Sequence, residues 1–148
     1  MVYGGLPCSC GHSGCVEMYC SVKALIRQTR EKMRARPDSA MWQMCGGDIE
    51  QVGGRLAFQA QRAGDEAAGE VVRQYIDYLG YAVTNFISIF QPQIVLIGGG
   101  ISHEGEPLLG PVRAYVRAHR LFENAATRVE AATLSNDAGI IGAAFLGI

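Results

Sequence analysis

The chain has 148 residues and a formal net charge of −1, with 49% hydrophobic and 18% charged residues. That balance suits one packed domain and excludes a disordered chain, and a net charge so near zero excludes a general attraction to nucleic acid or an anionic membrane. No apolar run reaches the ~20 residues of a membrane span, and the first residues lack the basic-then-apolar pattern of a secretory signal. Five cysteines, an odd number with three of them in one short cluster, point to a reducing cytoplasm rather than a disulfide scaffold.

In chain order, the first stretch that carries chemistry is Cys8-Ser9-Cys10-Gly11-His12-Ser13-Gly14-Cys15-Val16-Glu17. Thiolates at C-x-C-x4-C spacing can close around one tetrahedral zinc, and Gly11 and Gly14 let the chain fold back between them. Structural zinc takes four protein ligands. The run offers Cys8, Cys10 and Cys15, and leaves the fourth to His12, Cys20 or a residue outside the chain. The alternative is three reduced thiols in a loop. Residues 18–34 read as a helix with Val22, Leu25, Ile26, Thr29 and Met33 on one face. Lys23, Arg27, Arg30 and Arg34 line the opposite face. With no aromatic residues among these charges, the stripe reads as a solvated face rather than a phosphate contact. Arg36-Pro37-Asp38-Ser39 breaks the helix, and the segment around Trp42 carries no clear pattern.

Cys45-Gly46-Gly47 reads as a turn, with Cys45 a small buried apolar residue. Asp48 is expected to cap a helix, with Gln51 completing a capping box. Ile49, Val52, Leu56 and Ala60 are its stripe, and Ala63-Gly64 its end. Asp65 caps the longest helix, residues 66–90, in which Val72, Tyr75, Ile76, Leu79, Val83, Phe86, Ile87 and Phe90 keep the 3.6-residue period. Gly80 in its middle predicts close approach of another backbone, and Pro92 ends it. Ile94-Val95-Leu96-Ile97 reads as a strand covered on both faces, hence parallel. It runs into Gly98-Gly99-Gly100-Ile101-Ser102. A glycine loop at the C-terminal end of a parallel strand is where open α/β sheets bind nucleotides, although the run has neither P-loop nor dinucleotide spacing. A helix over 107–119 with His119 at its rim, a strand over 128–134, and a helix over 138–145 capped by Asn136 or Asp137 complete an α/β chain. The count is at most six helices and two strands.

Every fixed position of C-x-C-G-x-x-G-C-x-E is present from Cys8 to Glu17, and Glu17-Met18-Tyr19-Cys20-Ser21 fits the E-x-Y-x-S that often follows. In these residues the chain resembles the ROK family of bacterial sugar kinases and sugar-responsive repressors. The strand-Gly-Gly-Gly-hydrophobic-Ser run and the small-residue last helix extend the resemblance over nearly the whole chain. The resemblance implies the C-terminal, ribonuclease-H-like part of an actin-like ATPase fold. It would be one domain over residues 1–148 with a zinc loop at 8–17, and its sheet incomplete because three antiparallel strands precede this part in the family. It implies zinc on Cys8, Cys10 and Cys15, sugar hydroxyls on Glu17, and ATP against Gly98, Gly99 and Gly100. The implied partners are a hexose or N-acetylhexosamine, Mg-ATP and a second copy in a homodimer, with no nucleic acid or membrane. The family's upstream zinc histidine is not in the chain, so Met1 is expected to be an internal methionine of a longer protein.

A sugar kinase also needs a carboxylate to accept the proton of the attacking hydroxyl, a glycine loop for the transferring phosphate, and magnesium. In the family an Asp-x-Gly-Gly-Thr loop and an Asn-Asp pair fill the first two roles. The loop motif does not occur in these residues, and Asn136-Asp137 reads as a helix cap, so no catalytic residue is assigned. The expected function is the C-terminal portion of an ATP-dependent sugar kinase, inactive alone. The sensor half of a ROK-type repressor is the alternative. A zinc-stapled interaction module is a third reading, which has no use for a glycine loop after a buried strand.

Overall fold

The computed structural model describes residues 1–121, 127–134 and 138–146. Among these the order is α1 (Glu17–Cys20), α2 (Val22–Ala35), α3 (Met41–Met44), α4 (Leu56–Arg62), α5 (Glu66–Phe90), β1 (Ile94–Ile97), α6 (Glu106–His119), β2 (Arg128–Ala131) and α7 (Ala138–Phe145). Single 3-10 turns lie at Ile49–Gln51 and Gly100–Glu104. No helix among the described residues is long and apolar enough to cross a membrane.

The fold is built on α5, which has the expected span. Asp65 accepts a hydrogen bond from the Ala68 N–H at 2.7 Å, satisfying one donor that the first turn leaves unpaired. At the other end Gln91 turns left-handed at φ 45°, its N–H closing on the Ile87 carbonyl, and Pro92 prevents continuation. The buried face of α5 supplies Val71, Val72, Tyr75, Val83 and Ile87. Leu25 of α2, Phe58 of α4, Leu108 and Val112 of α6, and Ile97 and Val129 of the sheet pack against it. A second cluster joins Met33, Met41, Cys45, Leu56, Ala60 and Ala67, so Cys45 is buried as expected.

β1 and β2 pair in parallel, in register from Ile94↔Arg128 to Ile97↔Ala131, with α6 as the crossover. Val95, Ile97, Val129 and Ala131 face the helices. Leu96 alternates to the opposite face, where no described element covers it, and is 56% exposed. The expectation of a strand covered on both faces is thus corrected: within the described residues the sheet is covered on one. The strand expected over 128–134 ends at Ala131. The last ladder bond is Ala132 N–H to the Ile97 carbonyl, because β1 itself leaves the sheet at Gly98.

Three further expectations change. The helix predicted from Asp48 to Ala63 is two pieces. Asp48 caps only the 3-10 turn, through the Glu50 N–H at 2.9 Å, and Gln51 bonds back to the Asp48 carboxylate at 3.4 Å. Val52 is extended and Gly53-Gly54 carry the chain to α4, with Gly54 so close to α2 that a Cβ there would lie 2.6 Å from Val22 Cγ1. The four-residue α1 and α3 raise the helix count to seven among the described residues. α1 is set off from α2 by Ser21, whose extended backbone lets its hydroxyl accept from the Ala24 N–H. At Gly80 the close neighbour is a side chain rather than a backbone: a Cβ would lie 2.5 Å from the ring of Tyr115 on α6. The cap expected at Asn136 or Asp137 lies outside the described residues.

Candidate functional site

The segment before α1 has no regular structure, yet its backbone is closed by its own bonds. Val2 N–H donates to the Gly14 carbonyl, Gly14 N–H to Leu6, Cys8 N–H to His12 and Gly11 N–H to Cys8, at 2.8 to 3.0 Å, and Pro7 and Ser13 form an antiparallel bridge. Gly14 has φ +74°, and a Cβ there would sit 1.7 Å from the Val2 carbonyl oxygen, so the loop closes only with glycine at this point. The Tyr19 hydroxyl accepts from the Leu6 N–H at 2.9 Å and ties the loop to α1.

This closure brings the three expected metal ligands together. The sulfurs of Cys8, Cys10 and Cys15 all lie within 4.8 Å of one another, with Cys10 and Cys15 at 3.5 Å. Zinc–sulfur bonds of ~2.3 Å in a tetrahedron require sulfurs about 3.8 Å apart, so the donor set and its spacing fit zinc. His12 Nδ1 lies 3.6 Å from the Cys10 sulfur, beside the cluster. Cys20 is turned away: its sulfur is 3.9 Å from that of Met1, and burial pushes its thiol up to about 11. Hydrogen bonds from the His12 backbone and ring, then from Cys15 and Cys8, lower the Cys10 thiol to about 7. Its bonds to Cys10 and Cys8 hold the Cys15 proton up to about 11. Such a network favours thiolate at Cys10, the form that ligates metal.

Glu17 is the first residue of α1, exposed, where a carboxylate suits the positive helix end. It borders a cleft of about 350 Å3 that also includes Pro7 and Ser9 of the cysteine loop and Ser21, Lys23 and Arg27. Of the basic stripe expected to be a solvated face, Lys23 and Arg34 are exposed, whereas Arg27 and Arg30 are half-buried and engaged. Arg27 pairs with Glu31 and donates to the Met18 carbonyl, and Arg30 pairs with Glu50.

Gly98, Gly99 and Gly100 leave the C-terminal end of β1 as expected. Only Gly99, at φ +77°, has a conformation that demands glycine; Gly98 meets Ala132 at an ordinary 3.5 Å and Gly100 faces open space. Ser102 fixes the turn, its hydroxyl donating to the Gly99 carbonyl at 2.7 Å. Gly100 and Ile101 join Val22, Gly54 and Arg55 in a recess of about 180 Å3. The first turn of α2 therefore separates two hollows: Ser21, Lys23 and Ala24 face the Glu17 cleft, and Val22 faces the glycine recess. Sequence reasoning missed Gly54 and Arg55 as lining residues. The signal was the Gly53-Gly54 pair, which fits a loop against another element better than the helix assigned to it.

The family model described as ROK family matches residues 1–148. The glucokinase of Thermotoga maritima is 39% identical over 141 residues, which are 95% of this chain and 44% of that protein. The crystal structure of a ROK family glucokinase from Streptomyces griseus in complex with glucose and AMPPNP superposes with a TM-score of 0.87 at 34% identity, over 98% of this chain and 48% of that one. A ROK family transcriptional regulator, a homologue of the E. coli MLC protein, gives a TM-score of 0.66 at 26% identity, over 86% of this chain and 31% of that one. The chain thus spans about half the length of the curated relatives it matches or less. With the expected motif in place and the match running from end to end, the chain belongs to the ROK family.

Proposed function

We propose that this chain is the C-terminal portion of an ATP-dependent sugar kinase, contributing a structural zinc, part of the sugar site and part of the ATP site. The observation that carries the reading is the first turn of α2, which has the Glu17 cleft on one side and the glycine recess on the other, so that a sugar and a nucleotide would meet on neighbouring faces. Cys8, Cys10 and Cys15 would hold the zinc, with His12 beside them. Bound by thiolates in a closed site, zinc would shape the loop and would not activate water. Glu17 would accept hydrogen bonds from hydroxyls of a hexose or N-acetylhexosamine. Gly98, Gly99 and Gly100 would leave room for ATP and its magnesium; nothing among the described residues requires Gly98 or Gly100 to lack a side chain. The reading takes in a cytoplasmic homodimer.

The sensor half of a sugar-responsive repressor is the second reading, supported by the likeness to the transcriptional regulator. The test is a coupled ATP assay with a panel of hexoses and N-acetylhexosamines, run on the protein extended upstream of Met1 and on its Glu17→Gln variant. Turnover that falls at least tenfold in the variant supports the kinase. Saturable sugar binding with no turnover supports the sensor. Absence of both overturns the reading. The 148-residue chain alone is expected to show no turnover, since it has no Asp-x-Gly-Gly-Thr loop.

A further inference from the structure

Two of the three clustered sulfurs are in contact. Cys10 Sγ and Cys15 Sγ are 3.5 Å apart, closer than the about 3.8 Å that two sulfurs keep on a tetrahedral zinc. A disulfide needs ~2.05 Å, so about 1.5 Å of travel would join them, within the reach of side-chain rotation. Between them lie Gly11, His12, Ser13 and Gly14, with the two glycines at φ +86° and +74°, so the backbone is already folded back. Its own bonds hold it there: Gly11 N–H donates to the Cys8 carbonyl, Cys8 N–H to His12 and Gly14 N–H to Leu6.

Cys10 is exposed and Cys15 half-buried. A thiol open to solvent with a second thiol against it is the arrangement in which a first oxidation is captured as a disulfide before it proceeds to sulfinic acid. The cysteines outside the loop lack that arrangement. Cys20 is half-buried, and the sulfur nearest to it is the thioether of Met1, at 3.9 Å. Cys45 is buried, with its Sγ 3.4 Å from the Trp42 carbonyl. In a reducing compartment the disulfides that do form are transient and redox-sensing rather than structural.

We propose that Cys10 and Cys15 are a peroxide-reactive pair that is oxidised reversibly to a disulfide. The Cys10 sulfur attacks one oxygen of hydrogen peroxide. The O–O bond breaks, one water leaves with the thiol proton, and Cys10 becomes a sulfenic acid. The Cys15 sulfur then attacks the Cys10 sulfur. The S–O bond breaks, and a second water leaves with the Cys15 proton. The two thiols lose two electrons and the peroxide gains them. A dithiol reductant reverses the bond by exchange. The disulfide leaves Cys8 as the one thiol of the cluster, too few donors for structural zinc, so oxidation and metal exclude each other. The pairing stands apart from the sugar-kinase reading; the exclusion rests on the zinc proposed there.

The test is mass spectrometry of the 148-residue chain, reduced, freed of metal with a chelator and treated with hydrogen peroxide, beside Cys8→Ser, Cys10→Ser, Cys15→Ser and Cys20→Ser. Circular dichroism melts verify that each variant is folded. The unaltered chain is expected to lose the mass of two hydrogens and regain it with dithiothreitol, and Cys8→Ser and Cys20→Ser to do the same. Cys15→Ser should instead gain one oxygen and react with a dione that traps sulfenic acids. Cys10→Ser should react at least tenfold more slowly. In a parallel sample loaded with zinc, the metal should leave as the disulfide forms and return only after reduction. A disulfide that forms in Cys10→Ser or Cys15→Ser as fast as in the unaltered chain overturns the pairing, as does a gain of two oxygens with no loss of hydrogen. Zinc retained by the oxidised chain overturns the exclusion. A chain that forms the disulfide yet takes up no zinc when reduced supports the pairing and counts against the zinc instead.

Discussion

The cysteine loop and the two-strand sheet dispose of their backbone polar groups in opposite ways. The loop has neither helix nor strand, yet the N–H groups of Val2, Gly5, Cys8, Gly11 and Gly14 close on carbonyls within the same fifteen residues. What it gathers is the set of three sulfurs. The sheet is regular, but it is finished on one side only. At β2 the outward carbonyl of Val129 is taken by Arg113, a charged side chain blunting an edge. At β1 the residues that alternate with the ladder, Ile94 and Leu96, present their backbone away from β2, and Leu96 adds an exposed apolar side chain. The difference is between a segment whose shape is fixed locally and one whose shape calls for a further strand.

The largest expected effect breaks the local closure. Gly14→Ala would force a Cβ into the Val2 carbonyl and a side chain into a left-handed backbone, a combination in the range of ~3 kcal/mol or more for the loop. Cys10→Ser would leave the loop closed and remove one donor. Metal analysis of the protein extended upstream of Met1, purified without chelator, should find close to one zinc per chain, and well below one in either variant. Proton NMR separates them: Gly14→Ala loses the dispersed amide signals of residues 2–15 even with excess zinc, and Cys10→Ser keeps them. A full complement of zinc in Gly14→Ala would mean that the metal, not the backbone, shapes the loop.

The open edge comes next. The isolated chain is expected to self-associate, since an unpaired edge and a bare apolar face pair with another copy. The exposed apolar side chains include Leu96 on the sheet at 56%, and Ile89 at 69% and Phe90 at 71% at the end of α5. Leu96→Lys should weaken the dimer at least tenfold, about 1.4 kcal/mol, by sedimentation at micromolar concentration. Arg113→Ala should do the reverse by uncovering the Val129 carbonyl. A monomeric chain with a cooperative melt would show that the β1 edge is closed without a partner.

Much of this was legible from residue order alone, and the limits have physical causes. The motif from Cys8 to Glu17 is local, so spacing identified the donor set that the structure brings together. The span of α5 was legible because a capping aspartate, an unbroken 3.6-residue period and a proline all act within the helix. Gly53-Gly54 was misread because Ile49, Val52, Leu56 and Ala60 keep helical spacing across the break; the close contact with Val22 that selects Gly54 is between segments distant in sequence. The exposure of Leu96 was misread because an apolar run indicates what a strand is made to meet, not what is present to meet it.

The smallest effect concerns a side chain that does for helices what the cysteine loop does for itself. Asp65 caps α5 through Ala68, and its other oxygen accepts from the Ser39 hydroxyl at 2.9 Å and the Ala40 N–H at 2.6 Å, so one carboxylate fixes both the start of α5 and the approach to α3. Burial would by itself raise its pKa, but the three donors, with Arg36 nearby, outweigh it and hold the carboxyl below its ordinary 3.8. A carboxylate whose folded pKa is depressed adds stability that is present above its unfolded value, near 4, and lost as pH falls through the lower folded value. Asp65→Ala should therefore cost about 1 to 2 kcal/mol at pH 7, read from urea unfolding. The gap between the variant and the unaltered chain should narrow progressively below pH 4. The same variant should leave zinc content unchanged, since Asp65 touches neither the loop nor α1. A gap that stays constant down to pH 2 would mean that Asp65 acts through packing rather than through its charge.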